Sequence, residues 1–148
     1  MLANRRRDTA PERALRSLLH AQGLRYRCDH PIITSRRRVR VDIAFTRARL
    51  AVFVDGCFWH LCPEHGQIPA ANRSYWLPKL QRNVERDREV DHALRQAGWT
   101  VMRFWEHLSM DDAAAAVLRT LRQAGDADAA RPLARAVQGP IAFRCKPS

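Results

Sequence analysis

Two acidic residues stand where an isolated carboxylate would be costly. Asp42 lies inside the alternating apolar segment 39–45, and Asp55 directly follows the continuous apolar run 50–54. The alternation predicts a half-buried strand and the continuous run a central one. A carboxylate in such strands is unfavourable unless it is paired or binds a metal. Adjacent strands would bring both acids to one edge of the sheet. Two carboxylates placed there could bind Mg²⁺, because Mg²⁺ prefers oxygen ligands. The alternative is an ion pair between each acid and a nearby arginine.

The chemistry expected of such a site is hydrolysis at a phosphate. A divalent metal can activate water and stabilise charge on a phosphate. Glu12, at a predicted helix start, is a third candidate acid, although it also fits a capping box with Thr9. His60 follows Asp55 by five residues and, when neutral, could act as a general base. Taken alone, His60 also fits a packed or surface histidine.

A second group of residues suits zinc better than magnesium. Cys62 and His65 have the C-x-x-H spacing that can place two ligands on one turn. Asp87, on a predicted helix, and His107, after the last predicted strand, complete a candidate set of four. The spacing does not show that these two converge on the loop, and both also fit as surface polar residues. Cys57, within an apolar stretch, is interpreted as a small buried residue.

The charge of the chain favours a polyanionic partner. The chain has 148 residues and a formal net charge of +11, and 24 of its 26 basic residues are Arg. Arginine suits planar contacts to phosphates and base edges, although an arginine bias can also reflect genome composition. Large aromatics in or beside a loop of a basic protein can wedge into base stacks. The candidate DNA contacts are Phe58, Trp59, Trp76, Arg37, Arg38, Arg82 and Arg86.

Composition also argues against several classes of protein. No apolar run reaches the roughly 18 residues that a membrane span needs. The first twelve residues contain no apolar segment of the kind found in a secretory signal. A hydrophobic content of 46% disfavours disorder. We therefore expect a folded, cytoplasmic, nucleoid-associated protein without a membrane partner.

The elements that must position these residues follow the order α-β-β-β-loop-α-β-α. Residues 55–76 form a long aperiodic loop, which in a small domain indicates a functional segment. We expect one domain over residues 1–124 and a loosely ordered tail over 125–148. The predicted helices cover about 10–22, 75–96 and 110–124, and the predicted strands cover 25–28, 39–45, 50–54 and 99–104.

Three motifs in this order carry a family resemblance. The segments FVDGCFWHLCPEHG, NRSYWLPKLQRNVERDREV and GWTVMRFWEH resemble the very short patch repair (Vsr) DNA mismatch endonucleases. The opening RRRDTAPERALRSLL is similar to the family's first helix, so the resemblance extends over about residues 5–108. It implies an α/β fold, an α+β mixed sheet flanked by helices, in a single restriction-endonuclease-like domain. It also implies a nick beside a T:G mismatch that arises from deamination of 5-methylcytosine.

The resemblance also implies roles for single residues. Asp42 and the backbone carbonyl of Val54 would bind the catalytic Mg²⁺, and Glu12 and His60 would be catalytic. The structural Zn²⁺ would be held by Cys62, His65, Asp87 and His107. The aromatics that intercalate beside the mismatch would be Phe58, Trp59 and Trp76.

The chain departs from the best-known members of the family at several positions. Asp55 stands where those members have a second catalytic histidine, so it would either bind the metal or take over that residue's role. The order of ligands in the zinc loop differs, and His107 stands in place of a cysteine. We expect a monomer that acts on double-stranded DNA with a T:G mismatch, with repair proteins as further partners. A nuclease for another DNA context, or a zinc-stapled DNA-binding module without catalysis, stays open.

Overall fold

A four-stranded mixed sheet lies at the centre of the structure, a computed structural model that describes residues 9–125. The predicted tail lies outside the described residues, apart from Gly125. The elements follow the predicted order. They are α1 (Ala10–Ala21), β1 (Arg27–Ile33), β2 (Arg38–Phe45), β3 (Leu50–Asp55), α2 (Arg73–Gln96), β4 (Thr100–Trp105) and α3 (Met110–Gln123).

The sheet has the order β1-β2-β3-β4 and is covered on both faces. Strand β3 is antiparallel to β2 and parallel to β4, and the connection from β3 to β4 contains α2. All six residues of β3 are buried, as its apolar run predicts for a central strand. On one face Val52 packs with residues of α1 and α3, and on the other Phe53 packs with residues of α2. The predicted restriction-endonuclease-like fold class, a mixed sheet flanked by helices, is therefore confirmed.

Two boundaries differ from the expectation. Strand β1 runs to Ile33 rather than ending at residue 28, because an edge strand tolerates Pro31. Helix α2 begins at Arg73, two residues before the predicted start, and contains Pro78 near its beginning. Within residues 9–125, none of the helices combines the length and the apolar character that a transmembrane span requires.

Strands β2 and β3 separate where the predicted acids lie. Their pairing extends from Phe45↔Leu50 to Ile43↔Val52, and Asp42 is the next residue of β2. The N–H of Val54 donates to Oδ2 of Asp42 at 3.0 Å, so the Asp42 carboxylate takes the place of a backbone carbonyl acceptor. Strand β1 stays paired with β2 beyond this point. The sheet therefore forks at the carboxyl end of β3, where Asp42 and Asp55 lie.

Candidate active site and zinc centre

Three carboxylates, those of Glu12, Asp42 and Asp55, lie close enough at the fork to influence one another. Glu12, in the first turn of α1, is 4% exposed, and its Oε2 accepts a hydrogen bond from Arg16 Nη2 at 3.1 Å. Burial, followed by the negative charge of Glu12, raises the pKa of Asp42 to about 7, and Asp55 contributes in the same direction. Such a concentration of negative charge is the environment that a divalent cation would relieve.

His60 and Asp87 form a pair beside the fork. His60 Nδ1 is hydrogen-bonded to Oδ2 of Asp87, which lies on α2. An ionised carboxylate only accepts, so in the neutral imidazole Nδ1 would carry the proton and Nε2 would keep a free lone pair. Burial lowers the pKa of His60, but the hydrogen bond that it donates to Asp87 and the negative charge of Asp55 outweigh burial and raise this pKa above its ordinary value. This is the arrangement of an oriented general base.

The guanidinium of Arg103 contacts Asp55, Asp87 and Asp91. Nη1 of Arg103, on β4, is 3.0 Å from Oδ1 of Asp55 and 3.7 Å from Oδ1 of Asp87. The same side chain donates from Nε to Oδ1 of Asp91 at 2.7 Å. Burial raises the pKa of Asp55, while Arg103 lowers it. The sequence motifs did not single out Arg103 or Asp91 as site residues.

A second cluster combines two thiols and two imidazoles. One ligand atom from each of Cys57, Cys62, His65 and His107 lies within 4.8 Å of the others. Nδ1 of His107 is 3.1 Å from Sγ of Cys57 and 3.6 Å from Sγ of Cys62. Two sulfurs and two nitrogens are a donor set of the kind that holds structural zinc. The residues present therefore fit a zinc ion.

A tight turn brings the loop ligands of this cluster together. Cys62 N–H donates to the Cys57 carbonyl at 2.9 Å, and Gly66 N–H donates to the Cys62 carbonyl at 2.8 Å. A side chain at Gly66 would place its Cβ 2.6 Å from the Cys62 carbonyl oxygen, so only glycine fits there without a shift of the backbone. Glycine thereby lets the turn fold back over Cys62.

The large aromatics of the loop form one cluster, which we call the aromatic wedge and define as Phe58, Trp59 and Trp76. The ring centroids are 5.0 Å apart for Phe58–Trp59, 5.4 Å for Phe58–Trp76 and 6.0 Å for Trp59–Trp76. All three are partly exposed, and none belongs to either apolar core. The neighbouring Tyr75 is 60% exposed. Partly exposed aromatics next to an acidic site are suited to contact with stacked bases.

Comparison with known proteins identifies the family. A family model described as "DNA mismatch endonuclease Vsr" matches residues 1–64. The chain is 55% identical over 122 residues to the "Type II nicking enzyme V.NaeI" of Lentzea aerocolonigenes, which covers 82% of this chain and 74% of that protein. The chain belongs to the Vsr family.

Two further relatives agree with this assignment. The "Type II nicking enzyme V.NmeDIP" of Neisseria meningitidis serogroup C is 40% identical over 72% of this chain and 71% of its own. The "DNA mismatch endonuclease Vsr" of Escherichia coli (strain K12) is 39% identical over 68% of this chain and 62% of its own. The protein is a DNA nicking endonuclease of the Vsr family. Membership also implies dependence on a divalent metal.

The structure groups the predicted zinc ligands of this Vsr-family chain differently from the sequence expectation. Asp87 was expected with Cys62, His65 and His107, but it instead contacts His60 and lies near Arg103. Cys57 instead lies with these three residues, and its buried sulfur faces Nδ1 of His107, which follows β4. The spacing C-x4-C-x2-H over residues 57–65 was the signal that could have identified Cys57.

The predicted DNA-contact arginines of the Vsr-family chain are all exposed or partly exposed. Arg86 donates from Nη2 to Asn83 at 2.9 Å, and Asn83 in turn donates to the Trp59 carbonyl at 3.2 Å, beside the aromatic wedge. Arg37 pairs with Glu89 at 2.6 Å, two residues beyond Asp87 on α2. Arg38 and Arg82 are exposed. Arg37 and Arg86 therefore lie against or on α2, the helix that also holds Asp87.

Proposed function

We propose that this Vsr-family endonuclease nicks one strand of duplex DNA beside a T:G mismatch, with Mg²⁺ for the reaction and Zn²⁺ for stability. The observation that carries the proposal is the shared scaffold of the aromatic wedge and the hydrolytic residues. Trp59 directly precedes His60, and α2 holds both Trp76 and Asp87. Distortion of the duplex by the wedge would therefore place a phosphate close to the fork.

Asp42 and the Val54 carbonyl are the proposed Mg²⁺ ligands. The raised pKa of Asp42 fits this role, because the neighbouring charges of Glu12 and Asp55 disfavour its ionised form when no cation is bound. When bound, Mg²⁺ supplies charge stabilisation at a phosphate oxygen and lowers the pKa of water. Glu12, held by Arg16, completes the acidic environment of the ion.

His60 is the proposed general base. Nε2 takes a proton from water as the water oxygen forms its bond to phosphorus and the bond to the 3′ oxygen breaks. Asp87 accepts from Nδ1 and stabilises the imidazolium that results. The released 3′ oxygen takes a proton from solvent, and the product strand carries a 5′-phosphate.

The aromatic wedge is the proposed reader of the mismatch. A T:G pair is opened at lower cost than a matched pair, so insertion of Phe58, Trp59 and Trp76 is favoured there. The edge-to-face contacts hold the three rings ready for insertion. Selectivity would then come from weak stacking and pairing at the mismatch as well as from contacts to base edges.

A panel of labelled duplexes tests the proposed function. Wild-type protein with Mg²⁺ is incubated with matched, T:G-mismatched, other mismatched and methylated duplexes. We expect a nick in one strand of the T:G duplex and little cleavage of the matched duplex. Equal nicking of matched DNA, or a preference for another substrate, would instead support a nuclease for another DNA context. That alternative is favoured by relatives whose names give nicking without mention of a mismatch.

Removal of one wedge residue should weaken mismatch recognition more than general DNA binding. Stacking of an aromatic side chain on a base contributes about 1–3 kcal/mol, so Trp76→Ala should weaken binding of the T:G duplex by roughly 5- to 150-fold. Binding of the matched duplex should change much less, because the electrostatic contacts remain. Fluorescence anisotropy with both duplexes at one salt concentration measures the ratio. An equal loss on both duplexes would contradict a role in mismatch recognition.

A further inference from the structure

Arg103 connects three elements of the active site. It lies on β4, while Asp55 ends β3 and both Asp87 and Asp91 lie on α2. Nη1 donates to both oxygens of Asp55, at 3.0 Å and 3.2 Å, and is 3.7 Å from Asp87. The guanidinium is thus the shared partner of three carboxylates, one of which orients the proposed general base.

The position of the guanidinium is fixed from two further directions. Its Nε and Nη2 atoms both lie 2.7 Å from Oδ1 of Asp91. Its central carbon lies 4.2 Å from the centroid of the Phe53 ring, within the distance of a cation–π contact. Asp87 and Asp91 are four residues apart and share one face of α2. Arg103 therefore holds that face against the ends of β3 and β4.

We propose that Arg103 is a positioning residue that fixes Asp87, and through Asp87 the His60 base, and that Asp55 serves as its anchor. The inference rests on the role proposed above for His60. It assigns Asp55, the position where best-known Vsr members have a histidine, to Arg103 rather than to Mg²⁺. The change at residue 55 and the presence of Arg103 are then two parts of one arrangement.

The electrostatics of the cluster support this assignment. Ligand atoms of Asp55, His60 and Asp87 lie within 4.8 Å of one another, a spacing that could hold a metal ion. Negative charges at such distances repel unless a cation lies among them. Arg103 supplies that cation at hydrogen-bond distance from Asp55, with side chains only 20% and 9% exposed. The fixed guanidinium meets the charge requirement that an ion would otherwise meet.

The shape of the guanidinium matters as well as its charge. A planar fork can engage Asp55 with one nitrogen and Asp91 with two others at the same time. A lysine ammonium would keep the charge but would not span these partners in one plane. Arg103→Lys therefore separates the geometric role from the electrostatic one.

The test compares Arg103→Lys with Arg119→Lys, a matched change at an exposed position of α3. Asp91→Asn and His60→Gln are measured beside them. For each variant we measure the single-turnover nicking rate at saturating protein, the Kd for the same duplex and the thermal melt. We expect Arg103→Lys and Asp91→Asn to slow nicking by about 10- to 100-fold, since small displacements of a catalytic group have effects of this size. Their Kd values should stay within about threefold of wild type, and Arg119→Lys should match wild type.

A second comparison tests the pairing with Asp55. If Asp55 acts only through Arg103, then Asp55→Asn should slow nicking in the wild-type background but have little further effect in Arg103→Lys, and the Mg²⁺ concentration for half-maximal rate should not change.

The inference is overturned if folded Arg103→Lys and Asp91→Asn nick within twofold of wild type while His60→Gln is inactive. It is also overturned if Asp55→Asn raises the Mg²⁺ requirement, which would make Asp55 a metal ligand. If Arg103→Lys melts below the assay temperature, Asp91→Asn alone decides, because it keeps Arg103 and Asp55 unchanged. A His60→Gln variant that nicks at the wild-type rate would instead refute the proposed base, which is a different outcome.

Discussion

Asp42→Asn should abolish nicking and at the same time stabilise the folded protein at alkaline pH in EDTA. Loss of the Mg²⁺ ligand removes charge stabilisation of the transition state, which corresponds to about 10²- to 10³-fold or more in rate. The asparagine oxygen can still accept the Val54 N–H, so the fork keeps its hydrogen bond. DNA binding should remain, because it depends mainly on the arginines and the aromatic wedge.

The direction of the stability change follows from the pKa of Asp42. Its folded-state pKa is about 7, against an ordinary value of 3.8, so the folded state binds this proton more tightly than the unfolded state. Stability is therefore lost as pH rises from about 4 to 7, when wild type must bury the ionised group. Between pH 5 and pH 8, the free energy of unfolding of Asp42→Asn relative to wild type should rise by about 1–3 kcal/mol.

Urea unfolding in EDTA at several pH values measures this difference. Asp111→Asn, exposed in the first turn of α3, is the matched control and should show no comparable trend. In Mg²⁺ the difference should shrink, since bound cation stabilises the ionised form of wild-type Asp42. A variant that nicks at the wild-type rate would refute the assignment of Asp42 to the metal.

Loss of a zinc ligand should lower the stability of the fold more than it changes the rate of the chemical step. Wild-type protein should contain about one zinc per chain, and Cys57→Ser or Cys62→Ser should release it, because a closed four-ligand site loses its ion when one ligand is removed. Binding energy at a structural zinc site is largely folding energy, so the melting temperature should fall by about 10 °C or more. Metal analysis by mass spectrometry and thermal melts of the same samples check both results.

Asp87→Asn is the control that separates the two possible ligand sets. We expect this variant to keep its zinc and its melting temperature to within a few degrees, but to nick slowly because His60 is no longer oriented. The opposite pattern, with zinc lost from Asp87→Asn and retained in Cys57→Ser, would restore the ligand set expected from the sequence. A zinc-free wild-type protein that is fully folded would exclude a structural zinc altogether.

Local patterns were sufficient to predict the order of elements. Thr9 and Ser109 accept hydrogen bonds from backbone N–H groups at the starts of α1 and α3, as their sequence contexts predict. The apolar run 50–54 became the central strand, and the alternation around Asp42 became β2. These features depend on a few neighbouring residues, so the sequence contains enough information to place them.

Contacts between distant segments could not be read in the same way. Asp87 lies in the motif of a long helix, and nothing in its spacing shows that it contacts His60 rather than the zinc loop. Cys57 follows an apolar strand, so its sequence context suggests a core residue. In the structure it contacts His107, which follows β4. Which residues bind one metal, and which carboxylate orients the general base, depend on distances between side chains in space. Local periodicity in the sequence does not contain those distances.

The sequence by itself therefore determined the element order, the basic charge, the acids of the fork and the resemblance to Vsr endonucleases. Only the tertiary structure decided which residues share a site. The parallel pairing of β3 with β4 places Arg103 beside Asp55, and packing of α2 on the sheet brings Asp87 and Asp91 to the same guanidinium. The physical reason is that side chains from β3, α2 and β4 interact strongly only at distances of a few ångström, and folding alone sets those distances.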